Sequence, residues 1–249
     1  MEDHSVKALP AAAVQQVHGR GVITMQKASN LFSEDQRKQI ESAVAAAESK
    51  TSCEIVPVVA TASGRYDRPE DIVGLWFAII GGSLVWYLAP RQIAASGSWD
   101  SSSEVVGILT LIAVMTASFL IGAIAASRIA WLRRWFTPKK EMNEEVLSRA
   151  QETFFNKNIH HTDNSTGLLI YVSLFERFAV ILGDQNVVQE LGQDTLDQLC
   201  SQLTTDLKEG NATEAICKVI GDAGDVLSGP LPQQADDTNE LQDTLVLLD

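Results

Sequence analysis

The stretches IVGLWFAIIGGSLVWYLA (residues 72–89) and VVGILTLIAVMTASFLIGAIAAS (residues 105–127) contain no Asp, Glu, Lys or Arg. A helix needs roughly 20 apolar residues to cross the hydrocarbon core of a bilayer, which is about 30 Å thick. The length of both stretches predicts a transmembrane hairpin over residues 72–127, with a pair of buried core helices as the alternative. Neither stretch contains the charged groups expected of an ion or proton pathway, which argues against a transporter.

The cations beside these stretches predict an orientation. Arg65 and Arg68 precede the first stretch, whereas the connecting loop of residues 90–104 contains only Arg91. By the positive-inside rule, the loop is then outside and the protein is a two-pass membrane protein with both termini cytoplasmic. The cations after the second stretch are Arg128, Arg133, Arg134, Lys139 and Lys140.

The overall charge excludes one large class of partner. The chain has 32 acidic and 19 basic residues, a formal net charge of −13. Nucleic acid requires a basic face, so we expect no nucleic-acid partner. The three cysteines, Cys53, Cys200 and Cys217, lack the spacing of metal ligands and are predicted to be reduced core thiols.

Soluble α/β patterns lie on both sides of the hairpin. Ser33 and Gln36 form a capping box, which predicts a helix over residues 33–50. A β-rich run follows at residues 53–61, where Pro57 favours an edge position or a bulge. Helices are also predicted over residues 143–156, from residue 196 to near Gly210, and over residues 212–223. A strand over residues 167–174 is predicted to pair with a strand at Phe178, Val180 and Leu182 through a tight turn at Phe175, Glu176 and Arg177.

Neither flank contains enough apolar residues for a core alone, but together they make about 140 residues, an ordinary domain size. The hairpin returns the chain to the side that it left, so the flanks are expected to pack into one α/β sandwich. The predicted organisation is a loosely ordered N-terminus (1–30), the first part of the domain (31–71), the transmembrane hairpin (72–127), an interfacial linker (128–142), the second part of the domain (143–228) and an acidic tail (229–249) whose residues 245–248 are apolar enough to dock.

These flanks resemble the TPM-domain family over about residues 31–227. Residues 31–33 (LFS) with the following helix, then residues 51–59 (TSCEIVPVV), are similar to the opening helix and strand of that family. Residues 166–174 (TGLLIYVSL), followed by Glu176 and Arg177, are similar to its second strand and acidic turn. Residues 63–67 (SGRYD) and 135–138 (WFTP) resemble a bacterial membrane branch in which a hairpin interrupts the domain.

The resemblance implies a TPM-like α/β sandwich that in some relatives binds a divalent cation and has been described as a phosphatase. Those relatives often carry paired acidic residues before the Arg of the turn, whereas Leu174 and Phe175 precede Glu176 here. The remaining candidate ligands for Ca²⁺ or Mg²⁺ are Asp163, Glu176 and Asp184, with Asn164 and Gln185 beside them, in loops near strand ends where a bound metal would polarise a phosphoryl oxygen.

Two functions remain open from the sequence. The first is a membrane-anchored binding or assembly module of the cell envelope with a protein partner, and the second is a divalent-metal-dependent phosphatase. Glu54, at the start of a strand, is either a functional carboxylate or a buried partner of Arg177 or Arg37.

Overall fold

The computed structural model of the chain describes residues 11–16, 27–66, 68–88, 102–129, 134–162, 165–233, 241 and 243–249. It divides into two units. The α/β unit comprises the described residues of Met1–Gly64 and Lys140–Asp249, and the two-helix unit comprises those of Arg65–Lys139. In sequence, the two-helix unit therefore lies between the two segments of the α/β unit.

The helices and strands have the following bounds in chain order. They are β1 (Ala11–Gln16), α1 (Ala28–Leu31), α2 (Glu34–Glu48), β2 (Glu54–Ala60), α3 (Arg68–Leu88), α4 (Ser102–Arg128), α5 (Lys139–Asn156), a short 3₁₀ turn (Ile159–His161), β3 (Gly167–Ser173), β4 (Phe178–Gly183), α6 (Gln185–Leu191), α7 (Gln193–Glu209), α8 (Ala212–Leu227) and β5 (Val246–Leu248).

The α/β unit is built on a mixed five-stranded sheet in the order β1-β4-β3-β2-β5. β3 and β4 form the predicted hairpin, in which Leu168 is opposite Gly183 and Ser173 is opposite Phe178. β2 lies parallel to β3, with Glu54 opposite Gly167 and Ala60 opposite Ser173. The mixed α/β class predicted from the sequence is confirmed, and so is the pairing of the two central strands.

Every residue of β2, β3 and β4 is buried, which explains why these strands are continuous apolar runs. Ile55 and Ile170 of the sheet belong to one apolar core that also includes α2, α7 and α8. These three helices contribute the following core residues: Ile40, Val44, Ala47, Leu196, Leu199, Cys200, Leu203, Ala215, Ile216, Val219, Ile220, Ala223 and Leu227.

Local signals in the sequence set the ends of two helices as predicted. The Ser33 backbone N–H donates to Gln36 Oε1 (2.9 Å), and the Gln36 N–H donates to Ser33 Oγ (3.3 Å), which completes the capping box of α2. α7 ends at Gly210, whose φ of 103° is accessible to glycine at little cost. Both features depend on neighbouring residues alone.

Both ends of the described chain join the sheet. Residues 1–30 were expected to be loosely ordered, but Ala11–Gln16 forms β1 and pairs antiparallel with β4. Residues 229–249 were expected to be an acidic tail with residues 245–248 apolar enough to dock, and Val246–Leu248 does dock, as β5 beside Val58–Ala60. These short segments have no clear period of their own, because their pairing is decided by the sheet edges that they join.

β2 is not the edge strand that Pro57 favoured, since it lies between β3 and β5, but Pro57 itself lies beyond the end of the β5 ladder. Among the described residues, β5 pairs with β2 only from Val58 onward, so the missing N–H of Pro57 interrupts no bond to β5.

In the two-helix unit, α3 and α4 pack antiparallel through small residues. A Cβ built on Gly122 would lie 2.8 Å from Phe77 Cβ, and one built on Gly74 would lie 2.9 Å from the Phe119 ring. Gly81 and Gly82 make comparably close approaches to Ser118 and Met115. The absence of a side chain at these glycines lets the two helices approach closely, while Gly107 faces open space.

Candidate functional site

Glu176, in the turn between β3 and β4, is fully buried. Its Oε1 accepts hydrogen bonds from the backbone N–H groups of Ser63 (2.8 Å) and Gly64 (3.2 Å). Its Oε2 accepts a hydrogen bond from Ser173 Oγ. The carboxylate therefore ties the loop after β2 to the end of β3, and both of its oxygens are engaged by the protein itself.

A hydroxyl network continues from this carboxylate at the carboxyl ends of the parallel strands β2 and β3. Ser63 Oγ donates to Ser173 Oγ (2.9 Å) and lies 3.0 Å from the Tyr171 hydroxyl. Burial raises the pKa of Tyr171 to about 12, although the hydrogen bond with Ser63 acts in the opposite direction. The phenol stays protonated at neutral pH, so the network positions hydrogen-bond donors and supplies no strong base.

The structure does not bring the predicted metal ligands together. Glu176 precedes β4 and Asp184 follows it, so the length of the strand, roughly 20 Å, separates them. The prediction of one site holding both is wrong, because a residue after the second strand of a hairpin lies at the opposite end from its turn. Asp163 and Asn164 lie outside the described residues.

Asp184 has a local role instead. It is the N-cap of α6, and its Oδ1 accepts a hydrogen bond from the Gln185 N–H (2.7 Å). In the part of the chain that the structure describes, no group of three or more His, Cys, Asp or Glu residues is arranged to hold a metal ion. Glu176 and Asp184 therefore do not form one Ca²⁺ or Mg²⁺ site of the kind that the resemblance implies, since protein donors engage the Glu176 carboxylate and the two residues lie at opposite ends of β4.

Glu54 also differs from its predicted pairing. It is 8% exposed at the start of β2, and its Oε2 accepts a hydrogen bond from the Leu241 N–H (3.3 Å). Arg177 lies at the turn after β3, a strand length away, and the Arg37 guanidinium bonds Glu34 and the Ser29 carbonyl. The expected ion pair with either arginine is therefore wrong, because the register of β2 on β3 places Glu54 away from the turn.

A second set of carboxylate side chains surrounds a cavity that the sequence does not predict. Glu48, at the end of α2, and Glu54 line a cavity of about 230 Å³ together with Cys53 and Asp243. We call this the acidic cavity. Glu48 and Glu54 flank one short connection, but Asp243 arrives from a distant part of the chain, so sequence spacing gives no sign that the three meet.

The electrostatics of the acidic cavity favour a protonated carboxyl. Burial, together with the nearby Glu54 and Asp243 carboxylates, raises the pKa of Glu48 to about 8. A hydrogen bond from the Ile55 N–H to Glu48 Oε1 (2.8 Å) acts in the opposite direction but is outweighed. Glu48 therefore takes up or releases a proton near neutral pH, which an ordinary glutamate does not do.

Cys53, in the same cavity, is not an activated nucleophile. Burial raises the pKa of its thiol well above the ordinary value, and the Glu48, Glu54 and Asp184 carboxylates act in the same direction. The thiolate is thus disfavoured, and the thiol is a weak nucleophile. Cys53 and Cys200 are buried free thiols, as predicted, whereas Cys217 is only partly buried.

Comparison with known proteins adds a fold relationship. No family model matches the chain, and no curated protein matches it. Among solved structures, the chain is similar to the NMR structure of BA42 protein from the psychrophilic bacterium Bizionia argentinensis. The two share 18% sequence identity with a TM-score of 0.51, over 87% of this chain and 95% of that chain. At this identity, the similarity concerns the fold alone.

Proposed function

We propose that the protein is a two-pass integral membrane protein that displays a TPM-like α/β domain on the cytoplasmic face, as a binding or assembly module of the cell envelope. The transmembrane hairpin consists of α3 and α4, and it interrupts the domain in sequence.

The exposure of apolar side chains on both long helices is the observation on which this proposal rests. Spans of 19 and 22 residues, Glu70–Leu88 and Gly107–Arg128, have mean hydropathies of 1.6 and 2.4, yet only 22% and 6% of their most apolar windows are buried. The large apolar residues that are about half exposed or more include Leu75, Trp76, Ile80, Leu84 and Trp86 on α3, and Ile108, Leu109, Ile112, Leu120, Ile121 and Ile124 on α4.

Helix α8 shows what a core helix of this protein looks like. Its apolar residues Ile216, Val219 and Ile220 are buried, and its charged residues Glu214, Lys218 and Asp225 are exposed. Apolar surface in water is unfavourable by roughly 25 cal/mol per Å², a cost that lipid removes. The contrast with α3 and α4 supports a bilayer as the solvent of the two long helices, in preference to a soluble core.

The distribution of cations and aromatic residues supports the orientation. Arg65 precedes α3 and Arg128 ends α4, so basic residues flank the hairpin where, in sequence, it joins the two segments of the α/β domain. Trp86 and Tyr87, 79% and 84% exposed, lie at the other end of α3, where an aromatic belt is expected. The loop that is predicted to lie on the outer face covers residues 90–104, and residues 90–101 of it are not among the described residues.

The positions of the candidate carboxylates support a binding module in preference to a phosphatase. A phosphatase using Asp163, Glu176 and Asp184 would need Glu176 and Asp184 at one metal, but they lie at opposite ends of β4. A calorimetric titration of the purified full-length protein with Ca²⁺ and Mg²⁺ tests this alternative. We expect no saturable metal binding that depends on Glu176. Saturable binding that Glu176→Gln abolishes, together with release of phosphate, would instead favour the phosphatase.

Membrane insertion is tested by alkaline carbonate extraction of membranes from cells that produce the protein. We expect the chain to stay in the membrane pellet and to dissolve only in detergent. Ile121→Arg should reduce the inserted fraction, since an Arg at the bilayer centre costs about 3 kcal/mol. Ser148→Arg, at an exposed position of α5, is the matched control and should not change insertion. Release of the unmodified chain by carbonate, or equal tolerance of both arginines, would contradict the proposal.

A further inference from the structure

The last described residues of the chain, 241 and 243–249, form a segment that lies along the β2 side of the α/β unit. We call these residues the closing segment. Its strand β5 pairs with Val58–Ala60, and the Thr61 N–H donates to the Leu248 carbonyl (2.8 Å). Leu245, 8% exposed, belongs to the apolar core. The segment is therefore docked by both a β-ladder and a buried side chain.

One end of the closing segment is fixed by Asp249. Its Oδ1 accepts hydrogen bonds from the Ser29 N–H (3.2 Å) and Thr61 Oγ1 (3.0 Å), and its Oδ2 accepts one from Ser29 Oγ (2.6 Å). The hydrogen bonds from Ser29, followed by the one from Thr61, lower the pKa of Asp249. Asp249 is thus ionised at all pH values above the acidic range, and this end does not change near neutral pH.

The other end enters the acidic cavity. The Leu241 N–H donates to Glu54 Oε2, and Asp243 lies beside Glu48. Docking therefore places a third carboxyl group next to two that are already close together. Lys50 follows α2 and is the nearby cation. It forms an ion pair with Asp225 of α8, at 2.6 Å between Nζ and Oδ1.

We propose that the closing segment is a proton-controlled latch: it docks firmly while Glu48 carries a proton, and it loosens when Glu48 loses that proton beside Glu54 and Asp243. This device belongs to the α/β unit and does not depend on the proposed membrane function. Its opening would uncover the edge of β2 at Val58–Ala60, a surface to which an extended peptide strand can add.

The sign of the effect follows from linkage. Undocking removes Asp243 and part of the burial, so the pKa of Glu48 falls toward its ordinary value when the segment leaves. The undocked state then binds the proton more weakly than the docked state, and docking weakens as pH rises toward about 8, where docked Glu48 itself ionises. A single linked proton limits the change to about tenfold per pH unit.

Hydrogen–deuterium exchange of the full chain in detergent measures the latch directly. The observable is the protection factor, the intrinsic exchange rate at each pH divided by the observed rate, for peptides covering residues 243–249 and, as an internal reference, β3. We expect protection of the closing segment to fall more than about tenfold between about pH 6 and about pH 9, and to level off above about pH 8. Protection of β3 should not change.

Two variants decide whether Glu48 is responsible. Glu48→Gln is neutral at every pH and keeps an acceptor for the Ile55 N–H, so protection should become independent of pH and exceed that of the unmodified chain at high pH. Glu41→Gln, in the same helix but away from the cavity, should keep the full pH dependence.

Three results would overturn the latch. They are constant protection of the closing segment in the unmodified chain, an equal fall of β3 and the closing segment, and the same pH dependence with Glu48→Gln. Should Glu48→Gln not fold, Asp243→Asn removes the other side of the repulsion. It should shrink the pH dependence, and a full fall in that variant would equally contradict the proposal.

Discussion

Glu176 lies in the turn between β3 and β4, and its carboxylate accepts hydrogen bonds from the loop after β2 and from the end of β3. It therefore connects these parts of the α/β unit. In the sequence, its resemblance to the acidic turn of TPM domains made it a candidate metal ligand. Burial of both oxygens against protein donors makes it a structural group instead.

We expect Glu176→Gln to destabilise the α/β unit by roughly 1–3 kcal/mol, because an amide replaces one acceptor with a donor and leaves buried N–H or O–H groups without a partner. Thermal unfolding followed with a fluorogenic maleimide checks this, since Cys53 and Cys200 are buried in this unit. A Cys217→Ser background removes the partly exposed thiol.

Glu190→Gln is the control for this prediction, since Glu190 is an exposed glutamate of α6. It should leave the unfolding temperature unchanged. Equal stability of the Glu176 and Glu190 variants would show that the buried hydrogen bonds contribute nothing.

Among single residues, those with local roles were predictable and those with tertiary roles were not. The capping box of Ser33 and Gln36 is set within four residues, so the sequence predicts it. The meeting of Glu48 with Asp243 depends on the docking of a segment far along the chain. For the same reason, the acidic cavity has no signature in sequence spacing.

At the scale of elements, α2 and α8 approach closely at one glycine. A Cβ built on Gly224 would lie 2.7 Å from Ala47 Cβ and 2.9 Å from Ala47 Cα, whereas one on Gly221 would meet nothing within 4 Å. Both glycines are in the same helix, so they share the same helix propensity.

We therefore expect opposite results from two identical substitutions. Gly224→Ala should destabilise the α/β unit by roughly 1–3 kcal/mol through overpacking. Gly221→Ala should stabilise it by roughly 0.5–1 kcal/mol, since alanine is the better helix former. The maleimide unfolding measurement distinguishes them, and equal shifts for both variants would contradict the close approach of α2 and α8.

The pair α3 and α4 offers a parallel comparison. Gly122→Val places a side chain against Phe77 and Gly74, whereas Gly107→Val in the same helix enters open space. We expect only Gly122→Val to lower the unfolding temperature of the two-helix unit in detergent, by an overpacking cost of roughly 1–3 kcal/mol.

Tryptophan fluorescence reports this unit specifically, because all five tryptophans lie within residues 76–135. A lower unfolding temperature for Gly107→Val, or none for Gly122→Val, would mean that the helices pack through other faces.

The long elements were predictable from periodicity and the short ones were not. α2, α7, α8 and the β3–β4 hairpin have apolar patterns that repeat over several turns or residues, and the structure confirms them. β1 and β5 are edge strands of six and three residues, and they form where the sheet offers an unpaired edge. Their sequences alone contain too few apolar positions to show a period.

At the scale of the whole molecule, two types of surface coexist in one chain. The α/β unit buries large apolar side chains of its sheet and helices, whereas α3 and α4 leave many of theirs exposed. A bilayer is the solvent that suits the second type of surface, and water suits the first. We infer that the chain works at the boundary between the two solvents.

Labelling of cysteines by a membrane-impermeant maleimide, in spheroplasts of a bacterial host, tests the two-pass topology most directly. Ser98→Cys introduces a thiol in the loop predicted to lie outside, and the native, partly exposed Cys217 reports the α/β unit. We predict that Cys introduced at position 98 is labelled in intact spheroplasts and that Cys217 is labelled only after lysis. Labelling of Cys217 in intact spheroplasts, or of neither thiol until lysis, would contradict a two-pass protein with a cytoplasmic α/β domain.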